Sequence, residues 1–478
     1  MFNVLFIDRS NPAIYQLAIH LAAQINNDDV AILFLSDKEK SGKQGNLEVV
    51  NIADIPQSKS LAELQAQYDF SLHKTLVTER AFFDYSSFRK SQCYSNLSLT
   101  EVYGKITPYI NALDYLIGTR ADLVIEGLAD NFLTSVAGRI AEHYRKTFYM
   151  AFMYYWFGNG FLLADRMDQT SSIVDGLYLK YRDTGAQLDR ENLDRFYGRK
   201  AVLPSFQTNY TFGSRLTQMA NRTKTYEPLS LKHFILRRIA WGLSKLQIKL
   251  LLPFEMQPKT EKFVLFPLHV TPEATLLGSV PELADQFSFI KNISMNLPAG
   301  VFLYVKEHPH QQMGLGLDYA FYKRVRSLPN VRLYSHAVRA ESLYCDLNCL
   351  AVVVIAGTVG LEAALKRKPV FVFGRPIYYR GDCFVKPRTF EDFFLELKRI
   401  MNGDYKFDEE GLYAILQAMK DAVMEADVDF SKARSWPELS YLVNANLAKL
   451  INRQYGKWAA FRLADKAAFN VPRVDLNS

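Results

Sequence analysis

The stretch from Val352 to Tyr378 constrains the fold of this 478-residue chain more than any other part of the sequence. An apolar, β-branched run at 352–355 ends in a short turn, and a pattern with the period of a helix follows at 359–367. A second apolar run at 369–373 then stops at a glycine. Strand, tight turn, helix and strand in this order form the unit of a parallel sheet, so the sequence predicts an α/β fold.

The turn between the first strand and the helix contains Gly357 and Thr358. A helix N-terminus presents free N–H groups and a partial positive charge, which suits a phosphate group. Glu362 follows one helical turn after Thr358, on the same face of the helix. These residues are therefore predicted to hold the phosphate and ribose of a sugar nucleotide. The alternative is an N-cap threonine and a surface glutamate on an ordinary crossover helix.

A second group of candidates follows the predicted strand at 301–306, where the chain reads Lys306-Glu307-His308-Pro309. Proline ends the strand, and ligands of such sheets bind beyond the carboxyl ends of the strands. Lys306 and His308 are therefore predicted to stabilise the negative charge of a leaving nucleotide in place of a divalent metal ion. The alternative is a turn histidine bonded to the backbone, with the lysine in solvent.

Two further strand ends carry polar residues. The strand at 263–266 is followed by His269 and Glu273, which are predicted to line the same cleft. The alternative for Glu273 is a partner of a helix dipole. A strand in the first third of the chain ends in Glu126, which is predicted to act as a general base toward an acceptor hydroxyl or as a nucleophile. The alternative is an ion pair between Glu126 and a basic residue such as Arg139.

The composition of the chain and the motifs it lacks restrict the classes of protein to which it can belong. Hydrophobic residues make up 49% of the chain and charged residues 22%, as in soluble globular proteins. The net charge of +7 is mild for this length, so no nucleic-acid partner is predicted. Neither a signal peptide nor an apolar run of about 20 residues is found, which predicts a cytoplasmic protein. The dinucleotide-binding and P-loop motifs are missing, and the one Asp-x-Asp, at 427–429, follows no strand, so neither a metal nor a cofactor is predicted.

The alternation of strand and helix patterns divides the chain into four parts. We predict a Rossmann-like acceptor domain with a helical insertion at 1–225 and a basic amphipathic linker at 226–260. A Rossmann-like donor domain at 261–430 and a helical tail at 431–478 follow. The pattern breaks down over 154–225, which we interpret as helical insertions and loops around a cleft.

The linker contains a basic segment at 229–252 that has the spacing of an amphipathic helix. Its apolar positions are Leu231, Ile235, Ile239, Gly242, Leu246 and Leu250, and its basic positions include Lys232, Arg237, Arg238, Lys245 and Lys249. No acidic residue lies between Glu227 and Glu255. A helix of this kind is predicted to lie on an anionic membrane surface. The alternative is an inter-domain helix with a solvated basic face.

Four motifs occur in the order PLHVTPEAT, LYVKEHPH, AGTVGLEAAL and KPVFVFGRPIYY. Together they resemble the capsule polysaccharide biosynthesis family of bacterial glycosyltransferases, which includes Kdo transferases and is similar in its motifs to bacterial polysialyltransferases. The resemblance is strongest over 262–379. In the first domain, Glu126 and Gly127 are similar to the acidic residue and glycine of that family.

The resemblance implies a GT-B fold, with two Rossmann-like domains facing a central cleft and a nucleotide-sugar donor in the second domain. It implies that His308 and Thr358 contact the donor phosphate and that Glu126 is the catalytic carboxylate. We therefore predict a metal-independent glycosyltransferase at the cytoplasmic face of the inner membrane. Its donor would be CMP-Kdo, another CMP-sugar, or a UDP- or GDP-sugar, and its acceptor a capsular or other surface polysaccharide or a glycolipid. The alternatives are a GT-B nucleotide-sugar epimerase and a non-catalytic scaffold that binds a nucleotide sugar or glycan within a synthesis complex.

Overall fold

The structure of the protein is a computed structural model. The residues it describes are 1–7, 15, 18–19, 21–23, 30–37, 39–76, 99–127, 132–144, 147–155, 160–184, 188–198, 231–270, 276–277, 280–309 and 317–425. They form two α/β lobes, each built on its own sheet.

The first lobe has a mixed sheet of eight strands within the described residues. The strands are β1 (Phe2–Ile7), β2 (Val30–Ser36), β3 (Gly42–Gln44), β4 (Leu47–Asn51), β5 (Leu123–Gly127), β6 (Phe148–Tyr155), β7 (Gly160–Ala164) and β13 (Met424–Glu425). Their order across the sheet is β13-β7-β6-β5-β1-β2-β4-β3. The central strands are parallel, whereas β3, β7 and β13 pair antiparallel with their neighbours.

The central strands of this sheet are apolar at nearly every position, because both faces of the sheet are covered. In β1, Val4 and Phe6 belong to one core cluster, and Leu5 and Ile7 belong to the cluster on the opposite face. The helices of this lobe are α1 (Leu61–Gln67), α2 (Leu72–Leu76), α3 (Leu99–Thr119), α4 (Phe132–Tyr144), α5 (Ser172–Asp183) and α6 (Arg190–Gly198), with a 3-10 turn at Ile52–Asp54. The period of two along each strand thus accounts for the two layers of core.

The second lobe has a sheet of five described strands, all parallel, in the order β10-β9-β8-β11-β12. These strands are β8 (Lys262–Pro267), β9 (Val301–Lys306), β10 (Val331–Tyr334), β11 (Cys349–Val354) and β12 (Val370–Val372). The helices are α7 (Leu231–Leu251), α8 (Gln286–Met295), α9 (Tyr319–Arg326), α10 (Ala340–Tyr344), α11 (Val359–Leu365), α12 (Phe390–Asn402) and α13 (Glu409–Ala422), with a 3-10 turn at Pro281–Leu283.

Helix α13 joins the two lobes through an apolar junction. Leu412 and Ile415 of α13 share one core cluster with Val174 of α5 and Leu193 of α6. The buried Tyr197 hydroxyl of α6 donates a hydrogen bond of 2.7 Å to a backbone oxygen of α13. After α13 the chain returns to the first sheet, where β13 pairs with β7.

The two parallel-sheet lobes and the helical C-terminal region confirm the predicted fold class. The hairpin of β6 and β7 adds antiparallel pairing to the first sheet, inside the segment where the sequence pattern breaks down. The predicted domain boundaries stay predictions. The predicted helical tail at 431–478 lies outside the described residues.

Candidate functional site

The carboxyl edge of the second sheet brings three groups of predicted site residues together. Lys306 ends β9, His269 follows β8 by two residues, and Gly357 follows β11 by three. Strand β8 lies between β9 and β11, and all three run parallel, so their carboxyl ends share one edge. The backbone N–H of Leu268 donates to the carbonyl of Lys306 at 2.8 Å, which fixes the first two loops against each other.

His269 contacts the turn that contains Gly357. The backbone N–H of Ala356 donates to His269 Nε2 at 3.4 Å. A Cβ on Gly357 would lie 3.6 Å from His269 Cε1. The side chain of Gln286 holds the histidine in place, because its amide accepts from the His269 N–H at 2.8 Å and donates to the His269 carbonyl at 3.1 Å. The structure thus places His269 beside the Gly357 turn, and its predicted role in lining the cleft stays a prediction.

Thr358 immediately precedes α11 and contacts Glu362, one turn further along. The Thr358 hydroxyl donates to Glu362 Oε1 at 3.3 Å. Thr358 occupies the N-cap position of α11, as the alternative has it, but its side chain makes no capping bond to the helix backbone. Burial raises the pKa of the Glu362 carboxyl, and the hydrogen bond from Thr358 partly offsets that effect. Helix α11 spans seven residues and ends two residues earlier than predicted.

Tyr378 is a site residue for which no role was predicted. Its buried hydroxyl donates to the carbonyl oxygen of Gly357 at 2.5 Å. The loop after β12 also contacts the same turn at Gly374, whose N–H donates to the Ile355 carbonyl at 3.0 Å. Burial and the charge of Glu362 raise the pKa of Tyr378, so its hydroxyl remains a donor at neutral pH. The last of the four motifs contains this tyrosine and was the available signal.

Lys306 is buried rather than solvated, so the alternative of a lysine in solvent is wrong. Its ammonium group donates to the carbonyl oxygen of Glu307 at 3.0 Å. Burial lowers the pKa of Lys306, and the charge of Glu307 acts in the opposite direction. His308, which follows, is half-buried.

Glu307 is a second residue without a predicted role, and it faces away from Lys306. Its carboxylate accepts from the Tyr322 hydroxyl at 3.1 Å and lies 2.8 Å from His336 Nδ1. These contacts anchor the end of β9 to α9 and to the loop after β10. Burial lowers the pKa of Lys245 in α7, and the negative charge of Glu307 acts in the opposite direction.

Two predicted site residues lie partly or wholly outside the described part of the structure. Glu273 lies outside the described residues. The backbone of Glu126 is in β5, where it pairs with Ala151 of β6, and Ala151 in turn pairs with Ala164 of β7. With strands about 4.8 Å apart, Glu126 lies about 10 Å from the end of β7. The role of its side chain stays a prediction.

An ion pair joins the two lobes beside the Gly357 turn. Arg375, which follows β12, donates from Nη1 to Asp168 Oδ2 at 2.7 Å. Asp168 belongs to the loop that leaves β7, the strand whose last residue is level with Glu126. A second ion pair, between Lys74 of α2 and Glu282, also connects the lobes. Neither pair was predicted from the sequence.

The described residues contain neither a metal-binding cluster nor a membrane-spanning helix. Within those ranges, no cluster of three or more His, Cys, Asp or Glu side chains is arranged to hold a metal ion. Of the helices described, none combines the length and apolar character needed to cross a bilayer.

Comparison with protein families places the four motifs in a known group. Residues 208–400 match the family described as capsule polysaccharide biosynthesis protein. This match contains all four motifs and confirms the resemblance over that part of the chain. No curated protein sequence matches the chain.

Solved structures with a related arrangement include two enzymes of Thermosulfurimonas dismutans. Its KpsC beta Kdo 2,4 transferase is 14% identical, with 62% of this chain and 79% of that chain covered and a TM-score of 0.31. Its KpsC beta Kdo 2,7 transferase is 12% identical, with 67% and 88% covered and a TM-score of 0.33. Anabaena HepE in complex with UDP is 12% identical, with 95% and 100% covered and a TM-score of 0.28.

Proposed function

We propose that this protein is a GT-B glycosyltransferase that transfers a sugar from a nucleotide-sugar donor to a surface polysaccharide or glycolipid. One observation carries the proposal: Lys306, His269 and the Gly357 turn lie on one carboxyl edge of the second sheet. This edge falls inside the segment that matches the capsule polysaccharide biosynthesis family. Parallel α/β sheets bind their ligands at such an edge.

The donor's anionic end is proposed to lie against the Gly357 turn. Gly357 has no side chain there, so a phosphate group has access to the backbone beside His269. The Lys306 ammonium and the His308 imidazole supply positive charge or hydrogen-bond donors to the leaving nucleotide. Because these groups are protein side chains and backbone amides, the proposed reaction needs no metal ion. The donor is a CMP-sugar, such as CMP-Kdo or CMP-sialic acid, or else a UDP- or GDP-sugar.

Glu126 is proposed as the general base that removes the proton from the acceptor hydroxyl. Its position at the end of β5 places it in the first lobe, about 10 Å along the sheet from the strand end that leads to Asp168. Asp168 in turn contacts Arg375, beside the proposed donor turn. If transfer retains the anomeric configuration, a carboxylate attacks the anomeric carbon instead.

A thermal-shift screen against CMP, UDP, GDP and their sugar conjugates tests the donor site. A ligand that binds only the folded state raises the apparent stability as the logarithm of its concentration over its dissociation constant. We expect one nucleotide class to raise Tm and His308→Ala to reduce that rise. His143→Ala is the matched control, because His143 is a half-buried histidine of the first lobe. Equal affinity in the His308 variant would remove this residue from the donor site.

Glu126→Ala separates transfer from the two alternative functions. A transferase is expected to lose sugar transfer while its donor affinity stays nearly unchanged. An epimerase would instead interconvert the donor sugar without any acceptor. A non-catalytic scaffold would bind the nucleotide sugar and turn over neither substrate. Undiminished transfer by Glu126→Ala would exclude this residue as the base.

We also propose that α7 docks the enzyme on an anionic membrane surface. One face of the helix exposes a row of apolar side chains, each between 52% and 68% exposed: Ile239, Leu243, Leu246 and Leu250. The opposite face contacts the second lobe, where Ser244 accepts from the Tyr319 N–H at 2.9 Å. An exposed apolar row flanked by basic residues, with no acid between Glu227 and Glu255, is suited to a negatively charged lipid interface.

Vesicle sedimentation tests this docking surface. Leu246→Asp, and charge reversal at Arg237 and Arg238, are each expected to reduce co-sedimentation with anionic vesicles. Leu347→Asp is the matched control, because Leu347 is a single leucine, 98% exposed, outside α7. If all variants sediment with the vesicles like the wild type, the apolar row of α7 is not the membrane contact.

A further inference from the structure

The loop that follows β12 is attached to the proposed donor turn at two points. The Gly374 N–H donates to the Ile355 carbonyl at 3.0 Å, and the Tyr378 hydroxyl donates to the Gly357 carbonyl at 2.5 Å. A Cβ at Gly374 would lie 2.6 Å from the Ile355 oxygen, so the two backbones are in direct contact there. Arg375 comes one residue after Gly374, and its backbone is therefore fixed beside the turn.

The guanidinium of Arg375 is directed toward the other lobe, where it pairs with Asp168 at 2.7 Å. The pair is accessible to solvent, since the side chains are 37% and 22% exposed. Asp168 also has partners in its own loop: its other oxygen accepts from the Thr170 N–H at 3.0 Å and from the Thr170 hydroxyl at 2.6 Å. The carboxylate therefore keeps two hydrogen bonds if the arginine leaves it. Accessible ion pairs of this kind contribute little to stability, so an incoming anion can compete for the guanidinium.

The residue next to Asp168 shows that this loop is held in a strained conformation. Gln169 has a φ of 66°, in the left-handed region that disfavours a side chain of this kind. It is only 2% exposed, and within the described residues neither atom of its amide group has a hydrogen-bond partner. Strained backbone and unsatisfied buried groups are concentrated at functional sites, where the surrounding structure maintains them.

We propose that Arg375 is a ligand for an oxyanion of the nucleotide-sugar donor and that Asp168 holds its guanidinium until the donor binds. A guanidinium forms two parallel hydrogen bonds to a phosphate or a carboxylate, so it exchanges one oxyanion for another with the same geometry. The oxyanion is either the nucleotide phosphate or a carboxylate on the sugar. This inference rests on the proposed donor site, and it adds that donor binding releases one contact between the lobes.

Affinity measurements by calorimetry on four variants test the exchange. Asp168→Asn removes the competing charge while its side-chain oxygen still accepts from Thr170, so we expect nucleotide affinity to rise about two- to fivefold. Arg375→Gln is expected to reduce affinity about tenfold, and Arg375→Lys to reduce it less. In the double variant, Asp168→Asn should have no further effect, because it acts only through Arg375.

Arg190→Gln provides the matched control. It removes two solvent-accessible ion pairs, with Glu409 Oε2 at 3.7 Å and with Glu410, that join α6 to α13 rather than to the loop after β12. We expect unchanged nucleotide affinity in this variant. A drop equal to that of Arg375→Gln would show that loosening the junction, not losing an anion ligand, weakens binding.

The choice of probe distinguishes the two oxyanions. If Arg375 binds the phosphate, the variants already change the affinity for free CMP or UDP, without an attached sugar. If it binds a sugar carboxylate, they change only the affinity for a CMP-linked acidic sugar such as CMP-sialic acid. If Arg375→Gln and Asp168→Asn both bind nucleotides and nucleotide sugars with wild-type affinity, this inference is overturned and the proposed function stays intact. A wild-type protein that binds no nucleotide or nucleotide sugar would overturn both.

Discussion

Replacement of Tyr378 by phenylalanine should separate the stability of the donor turn from its ability to bind a nucleotide. The change removes one hydroxyl from a buried ring that is 3% exposed, and with it the hydrogen bond to the Gly357 carbonyl. The Gly357 carbonyl still accepts from the Gly360 N–H at 3.2 Å, so the variant loses one hydrogen bond, which contributes about 0.5–1.5 kcal/mol. In a cooperative unit of 150–250 residues, each kcal/mol lowers Tm by about 2–4 °C.

Tyr197→Phe offers a closely matched control. Tyr197 is also 3% exposed, belongs to the same core cluster, and donates its hydroxyl to a backbone carbonyl, that of Leu416, at 2.7 Å. This contact lies between α6 and α13 and not at the turn. We expect both variants to lose similar amounts of thermal stability in differential scanning calorimetry.

Nucleotide affinity should distinguish the two tyrosine variants. Without the Tyr378 hydroxyl, the Gly357 turn keeps fewer contacts that hold it in place, and the ligand must supply part of that order, which weakens binding. A loss of about 1 kcal/mol corresponds to about fivefold weaker binding. We therefore expect weaker CMP or UDP binding for Tyr378→Phe and wild-type binding for Tyr197→Phe. Equal nucleotide affinity in the two variants, at equal stability, would refute the reasoning that Tyr378 prepares the turn.

Three other substitutions have expected outcomes. Gly374→Ala forces a Cβ to within 2.6 Å of the Ile355 oxygen and should lower stability by about 1–3 kcal/mol, whereas Gly176→Ala, where a Cβ meets nothing within 4 Å, should raise it slightly by calorimetry. Glu362→Gln should raise Tm at pH 7 and have little effect near pH 4. The folded pKa of Glu362 lies above the reference value of 4.5, so its contribution to stability is present at low pH and is lost as pH rises through the folded pKa. Gln169→Gly should raise the free energy of unfolding by about 1 kcal/mol, because it relieves the left-handed φ and removes an unsatisfied buried amide. A lower value in denaturant titrations would contradict this account.

Two strands of the second lobe could be predicted from the sequence almost to the residue. The predicted strand at 301–306 coincides with β9, and that at 263–266 lies one residue inside each end of β8, whereas the strand predicted at 352–355 misses the first three residues of β11. Strands buried on both faces read as continuous apolar runs, which few other elements imitate. Lys306 therefore lies at the carboxyl end of β9 and His269 directly after β8, while their roles stay predictions.

The sequence contains no comparable pattern from which contacts between distant segments can be predicted. Arg375 and Asp168 are 207 residues apart, and nothing near either residue identifies the other as its partner. Strand β7 lies in a stretch of mixed aromatic and polar residues, so its antiparallel pairing with β6 had no clear period to reveal it.

The roles of Lys306 and Glu307 could have been separated from the sequence. Successive side chains along a strand point to opposite faces. Tyr304 and Val305, which precede them, belong to core clusters on opposite faces of the sheet. Glu307 continues the Val305 face toward Tyr322 and His336, so it anchors the loop and is not an obvious donor ligand.

The connections between the lobes differ in strength in a way that bears on donor binding. The junction of α13 with α5 and α6 has a buried apolar core besides its ion pairs, and breaking it would expose that apolar surface to water. By contrast, the Arg375–Asp168 and Lys74–Glu282 contacts are ion pairs open to solvent, each worth about 0–1 kcal/mol. Any relative movement of the lobes therefore breaks the ion pairs before the α13 junction. Since one of those pairs adjoins the Gly357 turn, an anion that binds there disturbs the weaker connection and leaves the stronger one intact.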